Sequence, residues 1–102
     1  MISKRFSIFT ILLALLLTFG HNSYSQGVSD DEIILGMHTD ISGPVSSFGK
    51  YSVEGVQMRI DEINKAGGIH GRMLKIIAED HQYQVPRAVQ AAHKLLNKDK
   101  IF

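Results

Sequence analysis

Small hydroxyl residues and glycines are concentrated in the segment SGPVSSFG, residues 42–49. Gly43 and Gly49 would let a ligand or another stretch of backbone approach closely. The hydroxyl groups are those of Ser42, Ser46 and Ser47, and Phe48 adds an apolar wall. If a helix follows at once, its free backbone N–H groups would favour an anion. These residue types fit a small-molecule binding loop, and an ordinary tight loop with a serine cap is the alternative.

Acidic and histidine side chains form a second group that could do chemistry. Glu79 and Asp80 could serve as an acid and a base, although acids in such positions more often accept backbone N–H bonds. The imidazoles of His38 and His81 could approach nearby aspartates, and a transition metal binds such a mixture of nitrogen and oxygen ligands. The aspartates concerned are Asp40 and Asp80. The spacing matches no recognised metal motif, so we predict neither a metal nor a cofactor.

Several catalytic and nucleotide-binding motifs are missing from the chain. Neither GxxxxGK[ST] nor GxGxxG is present, which argues against nucleotide binding. There is no cysteine nucleophile, no GxSxG elbow and no HExxH, so we predict that the protein is not an enzyme. The formal net charge of the 102 residues is +1, and no basic patch favours a nucleic-acid partner.

Two short apolar runs predict the strands that would position these loops. EIILGMH, residues 32–38, and RMLKIIAED, residues 72–80, are continuous runs rich in isoleucine and leucine. Such runs are typical of strands that are buried on both faces in a parallel sheet. Ile101 and Phe102 look like the opening of a third strand.

Two amphipathic stretches predict helices between and after the strands. The first runs from about Ser47 to Ala66, with apolar residues every three or four positions, and ends at Gly67-Gly68. The second begins at Pro86, which suits a first helical turn, and fades over residues 97–100. The predicted fold class is therefore α/β, a parallel sheet with flanking helices in the order βαβα and then the start of a third strand. If the two strands are neighbours, both strand-to-helix loops would face one cleft at the carboxyl edge of that sheet.

The N-terminal 25 residues predict a signal peptide rather than part of this fold. Lys4 and Arg5 precede a continuous apolar run of about 15 residues, and a short polar stretch suits cleavage after Ser25. A transmembrane helix, the alternative, usually needs about 20 apolar residues. Without cysteine the chain has no lipid-modified N-terminus and no disulfide, so we predict a freely soluble periplasmic protein formed by residues 26–102.

Three pieces of the chain together resemble one family. They are the SGP segment followed by an aromatic residue and a glycine, DEINKAGGIHGR at a helix end, and ED followed by a proline and AVQAAHKLL. The chain is similar over residues 30–102 to the N-terminal segment of the branched-chain amino-acid-binding proteins. These are periplasmic receptors of ABC importers with the type I periplasmic-binding-protein fold.

The resemblance implies a two-lobed protein that closes on a small ligand, such as an amino acid or an amide, and presents it to an ABC permease. Residues 26–102 would be the first part of lobe one, a truncated ligand-binding domain, in a protein that is a monomer at full length. Phe48 stands at the position of the family's aromatic pocket wall, and its neighbours Ser46, Ser47 and Gly49 are further candidate ligand-binding residues. The groups that grip the ligand's carboxylate and ammonium would lie outside this sequence.

Two departures from the family pattern lie in the second loop. His81 follows Asp80 where the family usually has a second acid, and Val85 precedes Pro86 where an aspartate is usual. Together with Tyr83, these residues argue against a plain leucine, isoleucine or valine ligand. Two other functions remain open: a ligand-sensing domain of the same fold that feeds a receptor, and a small periplasmic α/β enzyme or metal protein using the histidines and aspartates named above.

Overall fold

The computed structural model describes residues 23–102, in which strands and helices alternate. The elements are β1 (Glu32–Thr39), α1 (Ser46–Lys65), β2 (Met73–Asp80) and α2 (Val85–His93), followed by a π-helical segment (Lys94–Lys98). Their order confirms the predicted α/β alternation. Nearly all of the predicted signal peptide lies outside the described residues. Within residues 23–102, no helix has the length and apolar character needed to cross a membrane.

The two strands are parallel, as predicted, and they are neighbours in the sheet. Their register runs from Glu32 beside Met73 to Thr39 beside Asp80, so both strands end at the same edge of the sheet. The chain leaves this edge twice, through residues 40–45 before α1 and through residues 81–84 before α2. This arrangement places both polar loops side by side.

Each helix contributes to a small core against the sheet. The buried apolar side chains among the described residues are Ile60 of α1, Leu74 of β2, Ala91 of α2 and Leu95 of the π-helical segment. Gly36 in β1 has no room for a side chain, because an added Cβ would lie 2.6 Å from Ile101 and 3.2 Å from Leu95. The C-terminal end of the chain therefore packs directly on the backbone of β1.

The turn after α1 is built from left-handed glycines, as the sequence predicts. Gly67 and Gly68 have φ angles of 104° and 77°. The turn brings Asn64 beside β2, where its side-chain amide donates to the Leu74 carbonyl at 2.9 Å and accepts the Leu74 N–H at 2.8 Å. Asn64 thus satisfies two backbone groups on the open edge of this strand.

The end of α2 differs from a simple fading helix. From Lys94 the chain takes a π-helical turn, and the Asp99 N–H donates to the Lys94 carbonyl at 2.9 Å. The Lys94 ammonium also contacts the carboxylates of Asp99 and Glu79. These hydrogen bonds, with Asp99 as the larger cause and Glu79 next, raise the pKa of Lys94 above its ordinary value.

The predicted third strand is not formed by the described residues. Only one bond of the expected kind is present, in which the Phe102 N–H donates to the Ile34 carbonyl at 2.8 Å. Two residues are too few for a ladder. The same edge of β1 receives the start of the described chain, because the Ile34 N–H donates to the Gly27 carbonyl at 2.8 Å. The Gln26 side-chain amide donates to the carbonyls of Leu96 at 2.9 Å and Ile101 at 3.0 Å.

Candidate functional site

Asp40 organises the first loop. It is only 2% exposed, and its carboxylate accepts the N–H groups of Gly43 and, at 2.8 Å, Val45. The serine cap of the alternative interpretation is not formed, because Val45 is the N-cap residue of α1 and no side chain bonds to the helix from that position. The buried carboxylate instead lies beside the start of α1, where a negative charge is stabilised by the helix dipole.

Asp80 joins the two loops. Its carboxylate accepts the Ile41 N–H at 2.9 Å, the Ser42 hydroxyl at 2.5 Å and the Gln82 N–H at 3.0 Å. These bonds, with the Ser42 hydroxyl as the largest cause and the Ile41 N–H next, lower the pKa of Asp80 to about 2. Asp80 therefore stays ionised in the folded protein at all but strongly acidic pH, and it acts as a loop support of the kind that the sequence left open.

Further contacts lock the loops together. The Gln82 side-chain amide donates to the Ser42 hydroxyl at 3.0 Å, and the His81 N–H donates to the Thr39 carbonyl at 3.0 Å. Gly43 lies so close to the second loop that an added Cβ would be 2.8 Å from the Gln82 carbonyl oxygen. The sequence analysis expected Gly43 to allow the close approach of a ligand or of another stretch of backbone, and here the backbone of the neighbouring loop approaches it.

The four predicted ligand-binding residues form the first turn of α1 and fall into two groups. Phe48 is 76% exposed and Ser47 is exposed, whereas Ser46 is half-buried and Gly49 is buried. Gly49 has a packing role, because an added Cβ would lie 1.7 Å from the Asp40 carbonyl oxygen. Phe48 and Ser47 are thus the members of this set that a ligand could reach most easily.

The start of α1 also offers a backbone donor. The Ser46 N–H donates to the Gly43 carbonyl at 3.2 Å and the Phe48 N–H to the Val45 carbonyl at 3.0 Å. Within residues 23–102 the Ser47 N–H has no acceptor. A polar ligand group could accept this bond beside the Phe48 ring, although the Asp40 carboxylate already occupies part of the positive end of the helix.

The two histidines of the alternative metal site lie close together, but the two aspartates do not join them as free ligands. The ring centroids of His38 and His81 are 5.4 Å apart, with an angle of 67° between the ring planes. The carboxylates of Asp40 and Asp80 are bonded to loop backbone. In the part of the chain that the structure describes, no group of three or more potential ligands could hold a metal ion.

The second loop contains a feature that the sequence analysis named only as a departure. Gln82 and Tyr83 both have left-handed backbone, with φ angles of 52° and 59°. That conformation costs a non-glycine residue roughly 1–2 kcal/mol. The His81 Nδ1 accepts the Tyr83 N–H at 3.0 Å, and the Tyr83 side chain remains 67% exposed. A recess of about 370 Å³ lies between this tyrosine and α2. Its lining residues are His81, Tyr83, Gln84, Val85 and Ala88.

An open α/β sheet with two linked loops at its carboxyl edge, and an exposed aromatic ring on one of them, defines a class of small-molecule-binding folds. Comparison with known proteins identifies the family within this class. Residues 32–102 match the family described as periplasmic binding protein, and the chain belongs to this family. The resemblance to branched-chain amino-acid-binding proteins and the type I fold is thereby confirmed.

Two curated relatives illustrate the similarity. The leucine-, isoleucine-, valine-, threonine- and alanine-binding protein of Pseudomonas aeruginosa is 34% identical over 86 residues, which are 84% of this chain and 22% of that protein. The leucine-specific-binding protein of Salmonella typhimurium is 34% identical over 73 residues, which are 72% of this chain and 20% of that protein. The chain thus spans about a fifth of the length of these relatives.

Solved structures agree with this fold. A fatty acid ABC transporter substrate-binding protein from Thermomonospora curvata has a TM-score of 0.69 and 33% identity, covering 74% of this chain and 19% of that one. A branched-chain amino acid transporter substrate-binding protein from Streptococcus pneumoniae, solved with isoleucine, has a TM-score of 0.67 and 28% identity. That match covers 70% of this chain and 20% of the other.

Proposed function

We propose that the protein is the solute-binding component of an ABC importer, which captures an amino acid or a similar small polar metabolite in the periplasm and delivers it to a membrane permease. The observation that carries this proposal is the pair of linked loops at the carboxyl edge, with Phe48 exposed on the first turn of α1. Membership of the periplasmic-binding-protein family supports it.

The described residues would form one wall of the binding site. The Phe48 ring would cover an apolar part of the ligand, and the Ser47 hydroxyl and N–H, with the Ser46 hydroxyl, would bond to a polar part. Gly49 acts through packing, since it allows α1 to rest on the Asp40 carbonyl. The site would be completed by other parts of a full-length receptor, which acts as a monomer and binds its ligand without turnover.

The ligands named for the relatives restrict the class of compound that this protein would bind. Two bind branched-chain or other small amino acids, one was solved with isoleucine, and one is a fatty acid receptor. These ligands share a carboxylate and an apolar group. An exposed phenylalanine beside the Ser47 N–H, which has no acceptor among residues 23–102, suits this combination. The ring can cover apolar surface while the N–H donates a hydrogen bond to the carboxylate.

A ligand screen on the full-length protein tests the proposal. Leucine, isoleucine, phenylalanine, glutamine and a medium-chain fatty acid are added separately, and thermal unfolding and calorimetry report binding. A ligand that binds the folded state raises the unfolding temperature according to its concentration and affinity. We expect saturable binding of at least one compound, with the compound recovered unchanged. Conversion of the bound compound to a product, or no stabilisation by any of the five, would overturn the proposal.

A further inference from the structure

His81 bonds through its side chain to the backbone two residues further along the chain. The imidazole Nδ1 accepts the Tyr83 N–H at 3.0 Å, while the His81 N–H is fixed on the Thr39 carbonyl at 3.0 Å. A nitrogen that accepts a hydrogen bond carries no proton, so the neutral ring must hold its proton on Nε2. The protonation state of His81 is therefore coupled to the position of Tyr83.

The turn that carries Tyr83 depends on such support. Gln82 and Tyr83 are consecutive left-handed residues, a conformation that persists only where surrounding contacts impose it. The N–H group of each residue donates to the side chain two positions earlier. The Gln82 N–H donates to the Asp80 carboxylate at 3.0 Å, and the Tyr83 N–H donates to the His81 ring. Loss of the histidine acceptor would leave Tyr83 without the bond that fixes its backbone.

The surroundings of the His81 ring provide no free carboxylate among the described residues. His38, on β1, faces it with a centroid distance of 5.4 Å. Glu79, the register partner of His38, is bound to Lys94, and the Asp80 carboxylate is bound to the first loop. From α2 only Val85 and Ala88, both uncharged, line the recess beside the ring.

We propose that His81 is a positioning residue, which holds Tyr83 as a second wall of the ligand site for a ligand with an aromatic group and releases it on acidification. The inference rests on the proposed function, since it requires a ligand at this edge of the sheet. Tyr83 is 67% exposed beside a recess of about 370 Å³, which offers ring surface to such a group. Protonation of Nδ1 turns the acceptor into a donor that faces the Tyr83 N–H, so the bond is lost.

Amide hydrogen exchange at Tyr83, measured in the full-length protein, tests the positioning role without a ligand. Protection factors, corrected for the intrinsic effect of pH, are compared at pH 8 and pH 5.5. The wild type should lose at least tenfold in protection at the lower pH. His81→Asn is the matched control, because an asparagine oxygen can accept the N–H two residues on and does not titrate. It should keep its protection at both values, and His81→Ala should lack it at both. Equal protection at pH 8 in the wild type and His81→Ala would overturn the positioning role.

Binding of L-phenylalanine and L-leucine to the same full-length variants tests the ligand class. We expect phenylalanine binding to weaken about tenfold in the wild type at pH 5.5 and to stay constant in His81→Asn. Tyr83→Ala should weaken phenylalanine binding more than leucine binding. Ligand binding that is identical in the wild type and Tyr83→Ala would overturn the inference and leave the proposed function intact. Failure of the whole ligand screen would instead overturn the proposed function, and the exchange result would still decide the positioning role.

Discussion

At the scale of single residues, Phe48 is an aromatic side chain that remains largely exposed within residues 23–102. Three quarters of its surface is exposed, at 76%, although it starts a helix next to a buried glycine. An apolar ring in this position gains little from the fold of residues 23–102, so its surface remains available to cover an apolar part of a ligand. A bound ligand is the covering surface that the proposed function supplies.

Phe48→Ala in the full-length protein should weaken ligand binding without harming folding. If the ring becomes mostly buried by the ligand, its loss costs roughly 1 to 3 kcal/mol, or about 5- to 150-fold in affinity. Calorimetric titration with the compound found in the screen measures the change. Met58→Ala is the matched control, because Met58 is an apolar residue on α1 that is 67% exposed and lies about 15 Å along the helix from Phe48. Equal effects of the two substitutions would remove Phe48 from the ligand site.

The sequence predicted Phe48 as a surface aromatic near a loop but could not assign the role of Gly49. Residue type shows that a glycine permits close approach, yet it does not show which group approaches. Here that group is the Asp40 carbonyl, a contact formed only when α1 folds back on the end of β1. His81 was missed as a support of Tyr83 for the same reason, since the spacing of two residues is common and the left-handed turn is not visible in sequence.

At the scale of elements, α1 contains two glycines with opposite environments. Gly49 is buried against Asp40, whereas nothing lies within 4 Å of a Cβ added at Gly55. Both positions are inside the helix, where glycine is less favourable than alanine because it loses more conformational freedom on folding. Substitutions at these two glycines therefore measure the contributions of helix propensity and of packing to stability separately.

Gly49→Ala should destabilise the full-length protein and Gly55→Ala should stabilise it. The Cβ at residue 49 must displace α1 from the end of β1, which costs about 2 to 3 kcal/mol as overpacking. The Cβ at residue 55 meets open space, so the better propensity of alanine should add about 0.5 to 1 kcal/mol. Urea unfolding of both variants gives the two free energies. A stabilising Gly49→Ala would contradict the contact with the Asp40 carbonyl.

The elements themselves were largely predictable, whereas the irregular end of α2 was not. The apolar runs located both strands, α1 and the start of α2 to within a residue or two, because periodicity and composition are local properties. The π-helical segment depends on Lys94, whose ammonium contacts Glu79 of β2 and Asp99 further along the chain. That arrangement involves residues distant in sequence, so a regular fading helix was the natural prediction.

At the scale of the whole molecule, the hydrogen bonds between the two loops join the carboxyl edge of the sheet into one structural unit. Asp80 is the centre of this unit, since its carboxylate holds backbone of both loops and the Ser42 hydroxyl. The pKa of Asp80 is lowered to about 2 from an ordinary 3.8. A carboxyl whose pKa falls on folding stabilises the folded state above its unfolded pKa, and this contribution is lost as the pH falls through its folded pKa.

Acid unfolding of the full-length protein should reveal this linkage. The advantage of the wild type over Asp80→Asn in unfolding temperature should be constant above about pH 5 and shrink steadily between pH 4 and pH 2. Asp61→Asn serves as the comparison, because Asp61 is exposed on α1 and bonds only to Gln57 within the described residues. Its difference from the wild type should stay small throughout. A difference for Asp80→Asn that does not change with pH would contradict the loop linkage.

The hydrogen bonds of the Gln26 side chain would affect a chemical reaction of the chain end if the predicted signal peptide is removed after Ser25. Gln26 would then be the first residue of the mature chain, and an N-terminal glutamine cyclises to pyroglutamate with release of its side-chain nitrogen as ammonia. That nitrogen is the one that donates to the carbonyls of Leu96 and Ile101. The fold would slow the cyclisation by holding the amide in place, and cyclisation would in turn remove both bonds from Gln26 to the C-terminal end of the described residues. The mass of the mature N-terminus would therefore report how firmly this corner of the protein is closed.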